Sequence, residues 1–396
     1  MNPAPSQRQS SGLDRELEIY QRGLLGERPA VPVSLSRLEQ KAKELLTPEA
    51  YDYVAGSAGG EATARANLEA FYRWRIVPRM LRNVSQRDLS IELLGLKLPA
   101  PVLLGPVGVQ GMVHSEAELA SSRAAASLGV PFVLSTVSSR SIEEVAQAMG
   151  SATRWFQLYW GKDMELTASM LRRAEKAGYG AVVVTLDTSM LAWRERDLSY
   201  PYLPFLLGQG LANYFSDPVF RGHLPKPPEE DPAAAIRLWG ALFSNTSLTW
   251  QHLRQLREHT QLPIVLKGIL HPDDARKALE HGADGIIVSN HGGRQVDGAV
   301  ASLDALPGVV KAVGDQVPIL FDSGIRRGAD VIKAIALGAR AVLLGRLYIW
   351  GLASAGEPGV REVLLNLLAD TDLTLGLSGY SSLAELDPAA LAPAKD

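Results

Sequence analysis

The stretch IIVSNHGGRQVDG, residues 286–298, places a histidine and an arginine just after an apolar run. The run has the length and β-branching of a buried strand, and the Gly292-Gly293 pair indicates a tight loop after it. His291 has a side chain that can act as a base near neutral pH. Arg294 offers a planar fork for a carboxylate. Taken alone, the stretch fits a surface turn equally well. The elements around it determine whether His291 and Arg294 belong to a functional site.

Eight short apolar runs, each preceded or followed by Gly or Pro, indicate eight strands. They read PVLLGPVG, PFVLST, RWFQLYW, AVVVTLD, PIVLKG, GIIVSN, PILFDSG and AVLLGR. Amphipathic helical stretches separate most of them, and several end in Gly. This alternation predicts an α/β fold, a (β/α)8 TIM barrel with its core at about residues 100–350. An open doubly wound sheet is the alternative, but the sequence lacks a G-x-G-x-x-G that opens a helix after a strand.

The flanks of the barrel are predicted from composition and periodicity. Residues 1–12 are predicted to be a disordered tail and residues 13–396 a single domain, which begins with a helical extension that includes SRLEQKAKELL. Roughly 80 residues separate the fourth strand from the fifth. Because a connection of that length is usually functional, we predict a lid loop there.

Composition limits the kind of partner. The chain has 396 residues, a formal net charge of -3 and no cysteine. This charge does not favour a nucleic acid or an anionic membrane, and the missing cysteine excludes disulfides, thiolate metal sites and a thiol nucleophile. We found neither a signal-like segment nor a run of 18 apolar residues. The sequence therefore predicts a soluble cytoplasmic protein with a small-molecule partner and without a metal site.

Every predicted strand carries informative residues at or just after its C-terminal end, where TIM barrels place their active sites. In strand order they are Val107 and Gly108; Ser135; Gln157 and Tyr159; Thr185, Asp187 and Arg194; Lys267; Ser289, His291 and Arg294; Asp322 and Arg326; Gly345 and Arg346. Burial of so many polar groups is costly unless a ligand and the groups themselves satisfy them. The set therefore predicts one binding site.

The distribution of these residues indicates the ligand. Arg326, Gly345 and Arg346 follow the last two strands, where barrels bind phosphate. Neutral donors together with Lys267 suit a flat polar heterocycle, and a lysine near a redox-active ring favours its reduced anionic form. The combination favours a phosphorylated flavin. Asp187 is the natural carboxylate to orient the predicted base.

The motifs SNHGGRQ, LKGI, FDSGIRRGADV and LGR resemble those of the FMN-dependent 2-hydroxy acid oxidases, and the resemblance runs from about Leu35 to Leu386. It implies an FMN cofactor, a 2-hydroxy acid and O2 as substrates, and a homotetramer or homo-octamer. It makes His291 the base and Asp187 its partner, and it assigns the substrate contacts to Tyr53, Tyr159, Arg194 and Arg294. The positions that it assigns to the cofactor are Val107, Gly108, Ser135, Gln157, Thr185, Lys267, Ser289, Asp322, Gly324, Arg326, Gly345 and Arg346.

Within this family the lid strings TLDTSMLAWRERDL and ANYFSDPVF, together with Gly108, are most similar to lactate 2-monooxygenase. Most oxidases of the family have Ala at the position of Gly108, and many have Pro at the position of Leu347. The resemblance implies oxidation of L-lactate, or of a close short-chain L-2-hydroxy acid, to acetate, CO2 and water, with the keto acid retained near the peroxide.

Three alternatives stay open. The enzyme could be an oxidase that releases pyruvate and H2O2, or an FMN-dependent dehydrogenase that passes electrons to a quinone or cytochrome. The third is a phosphate-binding barrel without net oxidation. Such a barrel would catalyse isomerase or nucleotide chemistry. It is less favoured because the nucleotide enzymes of the inosinate type need a cysteine nucleophile, and neither kind of enzyme needs the pair His291 and Arg294.

Overall fold

A closed barrel of eight parallel strands forms the centre of the protein, whose computed structural model describes residues 12–394. The strands follow one another around the barrel in chain order, and the last pairs with the first. We label them β1–β8: Val102–Leu104, Phe132–Ser135, Arg154–Leu158, Val182–Thr185, Ile264–Ile269, Gly285–Val288, Ile319–Phe321 and Ala341–Leu344. The predicted (β/α)8 barrel and all eight of its predicted strands are confirmed.

The strands are apolar on both faces because one side fills the barrel and the other meets the helices. Nearly every strand residue is buried, as in the runs Val182–Thr185 and Ala341–Leu344. A parallel barrel of this kind brings all eight C-terminal strand ends to one face. The polar residues that follow the strands therefore converge there.

The helices of the described chain surround the barrel, extend it at its N-terminus and cover its mouth. We label them α1–α16: Gly12–Leu24, Leu35–Leu45, Pro48–Ala55, Ala62–Tyr72, Glu118–Ala126, Ile142–Met149, Met164–Lys176, Glu195–Ser199, Ala212–Phe215, Pro218–Gly222, Pro232–Phe243, Trp250–Arg257, Pro272–Glu280, Ser302–Val313, Gly328–Ala336 and Arg346–Leu377. The last is kinked where Ala355 and Gly356 leave helical geometry. Within residues 12–394, none of the helices combines the length and the apolarity needed to cross a bilayer.

Within residues 12–394, four short strands lie outside the barrel. Trp74–Ile76 pairs antiparallel with Leu391–Pro393, and Ile91–Leu93 forms a hairpin with Leu96–Leu98. Short 3-10 turns complete the described elements: Gln110–Met112, Pro204–Leu207, His291–Gly293, Leu383–Glu385 and Pro388–Ala390.

The N-terminal extension, α1–α4, packs onto the barrel. Gly12, which the sequence placed in the tail, already begins α1, and its N–H donates to the carboxylate of Asp372 at 2.8 Å. The rest of the predicted tail, residues 1–11, lies outside the described residues. Between α3 and α4 the chain meets the loop after β6, where the Ala58 N–H donates to the Gly293 carbonyl at 3.0 Å. An added Cβ at Gly293 would lie 2.6 Å from the backbone of Ala64, so this close approach requires glycine.

The connection from β4 to β5 contains α8–α12 and is fastened to the barrel at two buried residues. The Asn213 side-chain amide donates to the carbonyls of Ser135 and Thr136 at 3.2 and 3.0 Å. Asp217 forms an ion pair of 3.0 Å with Arg173 of α7. Aromatic packing also holds the connection together, since the Phe205 ring lies 6.4 Å from the ring of Phe243 at the end of α11. The predicted lid is thus an anchored, partly helical cover.

Candidate active site

A histidine and a carboxylate form the centre of the barrel mouth. The Nδ1 of His291 lies 2.7 Å from Oδ1 of Asp187, which follows β4. His291 itself has a φ of +58°, and the two glycines after it also have positive φ. A left-handed conformation at a histidine is uncommon and is often found at functional sites. The loop therefore turns back so that the imidazole faces the cavity with Nε2 directed away from its carboxylate partner.

Burial and neighbouring charges set the protonation states of this pair. Burial lowers the pKa of His291, and the positive charges of Lys267 and Arg194 lower it further, against the attraction of Asp187. Burial alone would raise the pKa of Asp187, but His291 and Lys267 hold it at about 2. At neutral pH the pair is a neutral imidazole beside a carboxylate, which is the state that a general base requires.

Two polar residues that the sequence analysis missed support this pair. Thr188 donates its hydroxyl to Oδ1 of Asp187 at 2.9 Å. Gln295 donates its amide to the backbone carbonyl of Asp187 at 2.8 Å and accepts a hydrogen bond from Arg194 at 3.0 Å. Both residues adjoin predicted ones, in TLDTS and GGRQ, so the signal was present in the sequence.

The predicted carboxylate contacts lie beside the histidine. Nη1 of Arg294 donates to the carbonyls of Tyr53 and Gly56 at 2.7 and 2.6 Å, and its guanidinium lies 5.2 Å from the centre of the Tyr53 ring. These contacts use one nitrogen of the guanidinium. Burial and the charge of Arg194 lower the pKa of Arg294 to about 10, so it remains charged at neutral pH. The other nitrogens of the Arg294 guanidinium can therefore bind an anionic ligand.

Lys267 lies on β5, and its side chain is also charged. Its Nζ donates to the Ser289 hydroxyl at 3.0 Å and lies 3.1 Å from a carboxylate oxygen of Asp322. Although burial opposes the charged form, Asp322 and Asp187 raise the pKa of this lysine overall. A fixed positive charge is thus held at the floor of the barrel mouth.

The neutral residues predicted beside this lysine form one buried chain of hydrogen bonds. The Gln157 amide donates to the Thr185 hydroxyl at 3.0 Å and accepts from the Ser135 hydroxyl at 3.1 Å. The structure thus brings the predicted ring-binding residues together under the cavity.

The cavity at the barrel mouth encloses about 1170 Å³, its open entrance included. The predicted residues that line it are Tyr53, Val107, Gly108, Tyr159, Arg194, Lys267, His291, Arg294, Asp322, Gly324, Arg326, Gly345 and Arg346. Asp187, Ser135, Gln157, Thr185 and Ser289 support the lining from behind. Its lining combines apolar side chains with a few converging polar groups, as is typical of small-molecule and cofactor sites.

The far end of the cavity suits a phosphate. Arg326 is partly buried, and the one side-chain hydrogen bond described for it goes to the carbonyl of Ile325. Arg346 donates to the carbonyls of Val54, Gly56 and Gly292. Burial, together with the charges of Arg294 and Arg326, lowers the pKa of Arg346 to about 9. Clustered guanidinium groups of this kind are stabilised by anions. The residues present therefore fit FMN: Arg326 and Arg346 would hold its phosphate, and Lys267 would lie beside its ring.

We expect Arg326→Ala to weaken FMN binding by about tenfold or more, because a charge-assisted hydrogen bond contributes about 1.5–3 kcal/mol. Titration of the flavin-free protein with FMN measures the effect. Arg327→Ala, which removes the same charge from the exposed neighbouring residue, serves as the control. Equal FMN affinities in the two variants would exclude Arg326 from the phosphate site.

Gly108 lines the cavity, but its missing Cβ does not leave free space beside a substrate. An ideal Cβ there would lie 2.6 Å from both the Cγ2 and the carbonyl oxygen of Val137, so it points into the neighbouring loop. Glycine is required because two backbone segments approach closely. Its influence on the cavity therefore passes through Val137, which also lines it.

The chain is similar to a known protein family, to known proteins and to solved structures. The model of a family described as FMN-dependent dehydrogenase matches residues 42–393. An L-lactate oxidase of Lysinibacillus sphaericus is 48% identical over 90% of this chain and 91% of its own length. Human 2-hydroxyacid oxidase 1 is 43% identical over 90% of this chain and 95% of its own. A crystal structure of mandelate oxidase superposes with a TM-score of 0.81 at 40% identity, and the match covers 92% of this chain and 99% of that one.

Proposed function

The chain belongs to the FMN-dependent dehydrogenase family, and we propose on that basis that it oxidises L-lactate, or a close short-chain L-2-hydroxy acid, with O2. The coarser activity, FMN-dependent oxidation of a 2-hydroxy acid, follows from the relatives, which are L-lactate and 2-hydroxyacid oxidases. The observation that carries the finer proposal is the hydrogen-bonded pair of His291 and Asp187, which faces Arg294 and Tyr53 across one cavity.

The residues of this chain bind and orient the hydroxy acid. The carboxylate of the substrate binds at Arg294, with Tyr53 beside it. Nε2 of His291 accepts the proton that the substrate gives up, and the ionised Asp187 stabilises the resulting imidazolium. When bound, FMN supplies the acceptor for the two electrons. Phe205 and Phe243 of the lid line the same cavity and shield this side of the site from water.

The side wall of the cavity supports a small apolar substituent on the substrate. It is formed by Met112, Val137 and Leu191 together with the two phenylalanines of the lid. Such a wall offers apolar contacts without a charged partner. A methyl group, as in lactate, fits this environment.

We further propose that the keto acid stays bound and reacts with the peroxide formed beside it. The net reaction is lactate plus O2 to acetate, CO2 and water, in which all atoms and electrons balance. The similarity of the lid strings to lactate 2-monooxygenase supports this outcome, as does the anchoring of the lid at Asn213 and Asp217. The second candidate, release of pyruvate and H2O2, is favoured by the 48% identical L-lactate oxidase. Quantitation of acetate, pyruvate and H2O2 from lactate under air separates the two.

Gly108→Ala should change this product partition. The added methyl would overlap Val137, so the residue that lines the cavity has to shift. We expect products to move from acetate and CO2 toward pyruvate and H2O2, since about 1.4 kcal/mol changes a rate ratio tenfold. Anaerobic flavin reduction should stay within about an order of magnitude of wild type. Gly111→Ala is the matched control, because its Cβ would meet the flexible Ser139 side chain instead. An unchanged partition in Gly108→Ala contradicts the proposed link.

We also propose a cytoplasmic homotetramer or homo-octamer. Exposed apolar residues of the β4–β5 connection, such as Trp193, Leu206 and Leu207, support contacts between subunits because large exposed apolar patches often mark interfaces. Sedimentation of the FMN-bound protein measures the assembly.

A further inference from the structure

The loop that carries His291 has a backbone that needs external support. His291, Gly292 and Gly293 have φ values of +58°, +66° and +78° in succession. Glycine adopts such values freely, but a histidine in the left-handed region is disfavoured and persists because its surroundings enforce it. This turn directs the imidazole toward the cavity. The contacts that hold the three residues therefore also place the proposed base.

Side chains bind the backbone at both ends of this turn. The His291 N–H donates to the Ser289 hydroxyl at 3.0 Å. The Gly293 N–H donates to Oδ1 of Asn290 at 3.1 Å. Because Asn290 directly precedes His291, the direction of the Asn290 side chain is coupled to the backbone conformation of the histidine.

Asn290 is held in turn by a residue outside the barrel. Asn67 lies on α4 of the N-terminal extension and is 2% exposed. Its side-chain amide donates to Oδ1 of Asn290 at 2.8 Å, and its own Oδ1 accepts the Asn290 amide at 2.7 Å. Oδ1 of Asn67 also accepts the Ser302 N–H at 3.1 Å, and the Ser302 hydroxyl accepts the Asn290 N–H at 2.9 Å. Asn290 is therefore fixed at both its side chain and its backbone.

Backbone groups determine which way the two amides point. The Gly293 N–H needs an oxygen on the Asn290 side chain, and the Val300 carbonyl accepts from the nitrogen of the same side chain at 3.0 Å. The Ser302 N–H needs the oxygen of Asn67 in the same way. A flip of either amide would place its nitrogen against a backbone N–H, donor against donor. The pair therefore has one favourable arrangement.

A second residue of α4 holds the far end of the same loop. Thr63 is 0% exposed, and its hydroxyl donates to the Val296 carbonyl and accepts the Ala299 N–H, both at 2.9 Å. Thr63 and Asn67 lie one helical turn apart, so both face the loop. The helix thus contacts the loop at two points, and the contact at Asn67 is the one beside the histidine.

Arg294 is anchored by other contacts, although it lies on the same loop. Its guanidinium donates to the carbonyls of Tyr53 and Gly56, and its own carbonyl accepts a hydrogen bond from Arg194 at 3.2 Å. Among the described residues, none of these groups is hydrogen-bonded to Asn67. A change at Asn67 should therefore disturb the proposed base more than the carboxylate contact.

We propose that Asn67 is a positioning residue that acts through Asn290 to hold His291 in its left-handed conformation, so that the N-terminal extension takes part in building the active site. Loss of the amide pair leaves the Asn290 side chain without a fixed direction and weakens its bond to the Gly293 N–H. The turn then relaxes, and Nε2 of the imidazole moves away from the substrate proton. This inference rests on the proposed role of His291 as the base.

The first test is anaerobic flavin reduction by L-lactate in the FMN-bound Asn67→Ala variant. The limiting rate at saturating lactate should fall roughly 10- to 100-fold, because misplacing a reacting group by about 1 Å can slow a reaction ~10²-fold. The lactate concentration that gives half of this rate should stay near the wild-type value, since Arg294 keeps its contacts. A limiting rate equal to that of wild type overturns the inference.

Thr63→Val is the matched control. It removes two buried hydrogen bonds between the same helix and the same loop, while the side chain keeps its shape. The urea midpoint should fall in both variants because buried partners are left without hydrogen bonds. The limiting rate should fall in Asn67→Ala and stay near wild type in Thr63→Val. Equal losses of rate would mean that α4 supports the loop as a whole, which contradicts a specific role for Asn67.

Asn67→Leu provides a second variant in case Asn67→Ala does not fold. Leucine is close to asparagine in size, so it removes the amide pair without leaving a cavity. It should show the same lower limiting rate with the half-saturating lactate concentration retained, and a wild-type limiting rate in this variant overturns the inference. The wild type in the same experiment tests the proposed function separately. Wild-type flavin that no short-chain L-2-hydroxy acid reduces would contradict the function and this inference together, whereas equal rates in wild type and variants contradict the inference alone.

Discussion

The His291→Ala variant should retain FMN but reduce it with lactate ~10²- to 10⁴-fold more slowly than wild type, since this is the usual loss when a general base is removed. The imidazole is the group at the barrel mouth that is hydrogen-bonded to Asp187 and neutral at neutral pH. Its removal leaves the phosphate end and the contacts of Lys267 intact. Anaerobic stopped-flow absorbance of the flavin measures the rate.

His259→Ala is the control for this experiment, because His259 precedes β5 and lies at the opposite end of the barrel from the active site. It should reduce flavin at the wild-type rate. Flavin reduction by His291→Ala at a rate near that of wild type would assign the base to another residue.

Arg294→Lys should lower kcat/KM for lactate by ~10²- to 10³-fold, because truncation of one partner of a buried charge pair costs about 2–5 kcal/mol. The guanidinium of Arg294 holds the carbonyls of Tyr53 and Gly56 with one nitrogen and leaves the others for the substrate. An ammonium is a point charge and cannot do both. Steady-state kinetics should show the loss mainly in KM.

Arg254→Lys, an exposed position on α12, is the matched control and should leave KM unchanged. An unchanged apparent affinity for lactate in Arg294→Lys would remove this residue from the carboxylate site. FMN content should be the same in all three proteins.

Much of the fold and site could be predicted because, in a barrel, the position of a residue along the chain determines where it lies in the structure. Once eight apolar runs predict eight parallel strands, every residue just after a run is placed at one face. His291 and Asp187 are 104 positions apart, yet they meet because β4 and β6 end at the same face. The motif resemblance then supplied Tyr53, whose position on α3 has no signal in periodicity.

The supporting contacts could not be predicted, because they depend on close packing between segments distant in sequence. The reciprocal amide pair of Asn67 and Asn290, at 2.8 and 2.7 Å, spans 223 positions and fixes the residue before His291. The direction of a Cβ at Gly108 likewise depends on how two loops approach each other. Sequence patterns specify which element a residue belongs to, but not such distances.

Anaerobic addition of L-lactate to the FMN-bound wild-type protein, with D-lactate as the control, shows whether the site oxidises a short-chain L-2-hydroxy acid. L-lactate should bleach the yellow flavin absorbance and yield one pyruvate per flavin, while D-lactate should leave the absorbance unchanged. Flavin that stays oxidised with L-lactate and with other short-chain L-2-hydroxy acids would contradict the proposed function.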